Sequence, residues 1–160
     1  HLYARLARRA GKVELAERFE ALGARVFELS EALTGPLAPG DAGSFFPHRV
    51  TYHPTCHSLR ALRVVHAPLR LLEAVEGIEL VPLRRAEECC GFGGTFAVKN
   101  ADTSAAMLAD KVAAIEATGV EACVAVDGSC LLQIGGGLAR SGSGVQALHL
   151  AEVLAGARSE

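Results

Sequence analysis

The chain has 160 residues, half of them hydrophobic, and a formal net charge of −2. That length suits one domain with a real core and falls short of two. So small a charge gives no reason to expect nucleic acid or anionic membrane as a partner, and no charge-free run of about 18 apolar residues offers a transmembrane segment. In chain order, Leu2 to Ala24 reads as helix, with Leu2, Leu6, Val13, Ala16, Phe19 and Leu22 near helical spacing and Gly11 as a dividing point. Arg5, Arg8 and Arg9 fall on its wet face. A second helix covers Val26 to Leu33 and stops near Gly35-Pro36. Residues 34–48 hold Gly35, Pro36, Pro39, Gly40, Gly43 and Pro47, a loop or linker. This predicts an N-terminal helical segment and linker over 1–47, followed by a cysteine-bearing unit over 48–160.

The remainder alternates. Val50 to His53 reads as a strand, followed by a turn with Cys56 and a helix from Ser58 to Leu72. Ile78 to Leu83 reads as a second strand, followed by Cys89-Cys90-Gly91-Phe92-Gly93-Gly94 and a helix from Thr103 to Thr118 that Gly119 stops. Ala122 to Val126 is a third strand, followed by Cys130 and a helix through Ile134 that Gly135-Gly136-Gly137 is expected to break. Val145 to Leu148 is a fourth strand, and His149 to Ala155 a closing helix. Strands alternating with helices predict an α/β, Rossmann-like fold: a parallel sheet of about four strands covered on both faces.

Five cysteines is an odd number, and their spacing is unlike a small secreted disulfide scaffold. No secretion signal opens the chain, and its start at His1 suggests processing or a longer parent protein. A reducing, cytoplasmic setting is therefore expected, with thiols used for metal or redox work.

In a parallel sheet, the turns after the first three strands emerge at one carboxyl edge, where ligands bind. Cys56, Cys89, Cys90 and Cys130 would meet there. Each turn precedes a helix, whose free N–H groups and positive dipole end favour thiolate. Adjacent cysteines sit awkwardly around one small ion, which leans toward a cluster of several irons. Cys123 lies in an apolar strand and reads as core. His53 and His57 flank Cys56: either hydrogen-bonds within the turn, or His57 completes a mixed site. Lys99 is either a solvated lysine or a partner for an anionic centre. Asp127 is either an oxygen ligand or the cap of the following helix. His1, His48, His66 and His149 belong to no constellation.

Taken together, Tyr52-His53-Pro54-Thr55-Cys56-His57, Cys89-Cys90-Gly91-Phe92-Gly93-Gly94-Thr95-Phe96 and Asp127-Gly128-Ser129-Cys130 with Ile134-Gly135-Gly136 resemble the cysteine-rich CCG domain family. That family includes iron–sulfur proteins of lactate utilisation and glycolate oxidation, and the cysteine-rich component of heterodisulfide reductase. The Phe92-to-Phe96 run and the helix with Lys111, Ile115 and Glu116 are most similar to the lactate and glycolate members. The resemblance implies a cluster, of the [4Fe–4S] type, held by Cys56, Cys89, Cys90 and Cys130, with His57 and Asp127 as further candidate ligands and zinc as the alternative metal. It implies electron transfer in a 2-hydroxy-acid oxidation complex, with flavin or iron–sulfur subunits and a missing N-terminal half as partners. The alternatives are a zinc-bound structural or docking module and a thiol–disulfide redox domain. The fullest family pattern ends in Cys-x-x-Cys; here Asp127 stands at its first position, leaving four thiolates. No acid–base pair, Ser/His/Asp arrangement or complete nucleotide fingerprint points to catalysis by this chain alone.

Overall fold

Four strands, β1 (Arg49–Tyr52), β2 (Glu79–Leu80), β3 (Ala122–Ala125) and β4 (Gln146–His149), form one sheet in the order β2-β1-β3-β4. Every pairing is parallel, with Val50 opposite Leu80 on one side and Ala122 on the other. The structure, a computed structural model, describes residues 2–38 and 43–157; His1 and the part of the expected loop with Pro39 and Gly40 lie outside the described residues. The fold class is thus the α/β, parallel-sheet architecture expected from the alternation.

The two faces follow the period of two along the strands. Val50, Tyr52, Ala122 and Val124 pack with Leu72, Val75, Leu150 and Val153. Cys123 faces the other way, into a core with Cys90, Leu108, Val112, Ile115, Cys130, Ile134 and Leu138. The helices supplying these faces are α4 (Ala67–Glu73) and α8 (Leu150–Leu154) on one side, α6 (Ala101–Glu116) and α7 (Gly128–Ser141) on the other.

Upstream, α1 (Leu2–Arg9) and α2 (Val13–Gly23) form a hairpin around Gly11 at φ +70°, the break expected there. Arg8 grips Glu20 across it at 2.8 and 2.9 Å, and Tyr3 meets Phe19 at 5.6 Å between ring centroids. The next helix, α3 (Leu29–Thr34), begins three residues later than expected because Glu28 caps it in a capping box with Glu31. Further on, Phe45 N–H donates to the Gly156 carbonyl at 2.9 Å, tying the end of the loop to the far end of the chain. No helix among the described residues is long and apolar enough to cross a membrane.

Three further expectations are corrected. The helix over Ser58–Leu72 is instead a π-helical turn (His57–Leu62) and α4, separated at Arg63 with φ +62°. Pro68 forces the break: its ring would strike the carbonyl four residues back and it has no N–H to give, so it is tolerated only in the first turn of α4. The strand over Ile78–Leu83 shortens to β2 because Pro82 cannot donate to a ladder; Val81 N–H still reaches the Val50 carbonyl at 2.8 Å. A short helix, α5 (Thr95–Lys99), precedes α6, which starts at Ala101.

The triple glycine does not break α7, which runs through it to Ser141. The reason is helix packing. A Cβ on Gly137 would lie 2.7 Å from Val112 Cγ2 and 3.0 Å from Leu108 Cδ1 of α6, whereas one on Gly136 would meet nothing within 4 Å. Gly137→Ala is therefore expected to destabilise the chain by about 1–2 kcal/mol, overpacking outweighing the helix propensity gained. Gly136→Ala is expected to stabilise it by up to about 1 kcal/mol. Urea unfolding of the two variants checks this, and equal midpoints would refute the packing account.

Candidate metal centre

The strand order reverses direction between β1 and β3, so the crevice at their carboxyl ends is the switch point of the sheet. From β1 the chain passes through His53-Pro54-Thr55-Cys56 into the π-helical turn, where the Ser58 N–H donates to Thr55 Oγ1 at 3.2 Å. From β3 it passes to Asp127, which caps α7 by accepting from Ser129 N–H at 2.9 Å and Cys130 N–H at 3.4 Å. From β2 it runs through a turn at 84–88 to Cys89-Cys90.

These exits converge. One ligand atom each from His53, Cys90 and Cys130 lies within 4.8 Å of the others, and all three residues are buried. Cys56 and Cys89 pair beside them, their side chains hydrogen-bonded to one another and both partly exposed. All five cysteines are free. Each member of the adjacent pair receives a backbone N–H from two residues on: Gly91 N–H reaches Cys89 Sγ at 3.4 Å, and Phe92 N–H serves Cys90. The tight turn solves the problem of opposite-facing neighbours by giving Cys90 to the inner group and Cys89 to the outer pair.

Electrostatics sharpen the division. The Cys130 side chain donates to Cys90, holding the Cys90 thiol well below the ordinary thiol range; the His53 ring and the Phe92 N–H add to this against the opposing effect of burial. Cys130 moves the other way, raised by Cys90 and by burial. The two opposite shifts share one cause, the hydrogen bond between the two sulfurs. Burial and the neighbouring Cys89 raise Cys56. Burial pushes Cys123 up to about 12, leaving it a plain thiol in the core, as read from its strand.

His53 is the residue that sequence reasoning left out of the ligand set in favour of His57. It is 0% exposed, and its ring lies against the Cys90 sulfur, on which it acts. A signal was present: Thr51 pairs with Cys123, and two residues on, the alternation returns His53 to the same face. His57 is exposed at the start of the π-helical turn, where it acts on Asp127. Lys99 is exposed, and the covered cation near the cysteines is Lys111 instead.

Comparison with known proteins agrees with this geometry. Residues 50–135 match the CCG family, described as a cysteine-rich domain. The chain is similar to lactate utilization protein A of Geobacillus thermodenitrificans, 43% identical over 144 residues covering 90% of this chain and 60% of the relative. It is likewise similar to the proteins of that name from Geobacillus kaustophilus, 44% identical with the same coverage, and from Shouchella clausii, 43% identical over 141 residues covering 88% of this chain and 59% of the relative. The chain thus spans some 60% of the length of the curated relatives it matches. With the family match covering more than half its residues, this chain belongs to the cysteine-rich CCG domain family.

Proposed function

We propose that this chain is the metal-binding, electron-transferring part of a cytoplasmic lactate-oxidising system, with an iron–sulfur cluster held by Cys56, Cys89, Cys90 and Cys130 and with His53 as an additional ligand. The carrying observation is the meeting of His53, Cys90 and Cys130 within 4.8 Å at the switch point of the sheet. The residues fit such a group. Sulfur donors suit iron or zinc, and the buried His53 imidazole adds a nitrogen donor to the same small space. When bound, the cluster supplies one-electron transfer.

The remaining work falls to the chain. Gly91 and Phe92 aim N–H groups at sulfur, which favours thiolate. The core around Cys90 and Cys130 excludes water, while partly exposed Cys56 and Cys89 face the side from which a partner approaches. Oxidation of the substrate belongs to a flavin or iron–sulfur subunit, and the rest of the longer protein supplies a second contact.

A zinc reading is favoured by one observation: the inner trio is compact and mixes one nitrogen with two sulfurs, which suits a tetrahedral ion. Metal and sulfide analysis of protein purified without oxygen separates the two. Iron with inorganic sulfide and visible absorption that bleaches on reduction is expected. Stoichiometric zinc with no redox signal would establish the structural reading. Absence of both metals, with Cys56 and Cys89 recovered as a disulfide, would instead favour thiol–disulfide exchange.

A further inference from the structure

Lys111 stands in the middle of α6 with only 2% of its surface exposed. Its Nζ donates to the carbonyls of Arg85 at 2.9 Å and Ala86 at 3.1 Å. Among the described residues no carboxylate forms a salt bridge with it. A covered ammonium without a paired anion is costly unless a negative charge lies near. Burial is the largest influence on it and holds the ammonium below the ordinary lysine range, while Glu88 and, behind it, the Cys123 and Cys90 sulfurs act the other way. Glu88 is already engaged by Arg85 at 2.6 Å, and Cys123 stays protonated in the core. The turn that Lys111 holds ends in Cys89-Cys90, and Cys90 shares its core with Leu108 and Val112 of α6, so the cysteine group, deprotonated when it binds metal, is the remaining source of compensating charge.

The position of Lys111 is also mechanical. The two carbonyls it holds belong to the turn at 84–88, where Arg85 sits at φ +55°, and this turn leads directly into Cys89 and Cys90. One side chain therefore fixes the approach of the cysteine pair and places a positive charge beside it.

We propose that Lys111 is a positioning residue and built-in counter-cation for the thiolate centre. It offsets the negative charge that accumulates when several thiolates close on one metal, and it holds the Cys89-Cys90 turn against α6. This rests on the reading that these thiolates bind metal.

The test is an oxygen-free titration of the reduced chain with Co²⁺, followed through sulfur-to-cobalt charge-transfer absorption, with the melting temperature of each metal-free protein measured alongside. Lys111→Gln retains an N–H donor for the turn but removes the charge; Lys111→Met removes both; Lys111→Arg retains the charge. Lys111→Gln and Lys111→Met are expected to bind Co²⁺ about 10–100-fold more weakly than the wild type, the usual loss when a supporting partner of a metal site is removed. Lys111→Arg is expected to recover most of that loss. Wild-type affinity in Lys111→Gln would overturn the counter-cation role, and so would a Lys111→Arg protein that folds yet binds as weakly as Lys111→Gln. Should Lys111→Met not fold, Lys111→Gln and Lys111→Arg still decide the matter. A wild type with no charge-transfer bands overturns the underlying metal reading, and the proposal with it, before any variant is compared.

Discussion

Cys90→Ala is expected to abolish stoichiometric metal uptake, while Cys123→Ala leaves it intact. The two thiols lie in the same core, and both are buried, so burial does not separate them. What separates them is company. Cys90 has Cys130 and His53 within ligand reach and is held toward thiolate by the Cys130 proton and the Phe92 N–H. Cys123 is kept protonated by burial, with only Lys111 opposing it. A thiol must lose its proton to bind metal, so Cys123 contributes packing alone, and its loss costs on the order of 1 kcal/mol of stability from the small cavity created. His53→Ala should fall between the two. It removes one of several donors and weakens affinity by at least the roughly 10–100-fold seen when only a supporting partner is lost. Metal content and affinity measured without oxygen, beside the unfolding midpoint of each metal-free variant, give the ranking. Full metal binding by a folded Cys90→Ala protein would remove the inner trio from the centre.

Alternation of strand and helix made the parallel sheet readable, because period-two runs bounded by glycine and proline are local signals. It also made the convergence of Cys56, Cys89, Cys90 and Cys130 predictable, since turns after parallel strands emerge at one edge. What stayed hidden depended on contacts between distant segments. The three glycines of α7 read as a breaker because local propensity disfavours them, yet Gly137 is required by Leu108 and Val112 some 25 residues earlier in the chain. Lys111 stood out only as part of the helix that resembles the lactate and glycolate members, and nothing in its neighbourhood announces two carbonyl partners at Arg85 and Ala86. His53 lost to His57 because adjacency to a cysteine is visible in sequence, whereas strand register decides which face a histidine shares.

The same dependence on distant contacts makes Gly91 the most sensitive backbone position in the site. Its φ is +90°, and a Cβ there would lie 2.5 Å from the Ser104 carbonyl oxygen and 3.2 Å from Met107 Cβ. The turn cannot simply retreat from α6. Ser104 Oγ donates to the Gly91 carbonyl at 2.8 Å, and Gln133 of α7 donates to that same hydroxyl at 3.2 Å, so the turn, α6 and α7 are joined through one buried serine. Gly91→Ala would force the turn outward, and with it the N–H that reaches Cys89 Sγ. Left-handed strain of about 1–2 kcal/mol adds to overpacking of about 1–3 kcal/mol, a loss on the order of 2–5 kcal/mol. For a chain of this length that lowers the melting temperature by about 5–20 °C. Gly142→Ala supplies the control: it sits at φ +70° with nothing within 4 Å of a new Cβ, so it carries the backbone strain without the clash. Gly91→Ala should therefore melt well below Gly142→Ala and lose metal affinity, while Gly142→Ala keeps it. Equal melting temperatures, or a Gly91→Ala protein that binds metal as the wild type does, would show that the Cys-Cys-Gly turn is free to move away from α6.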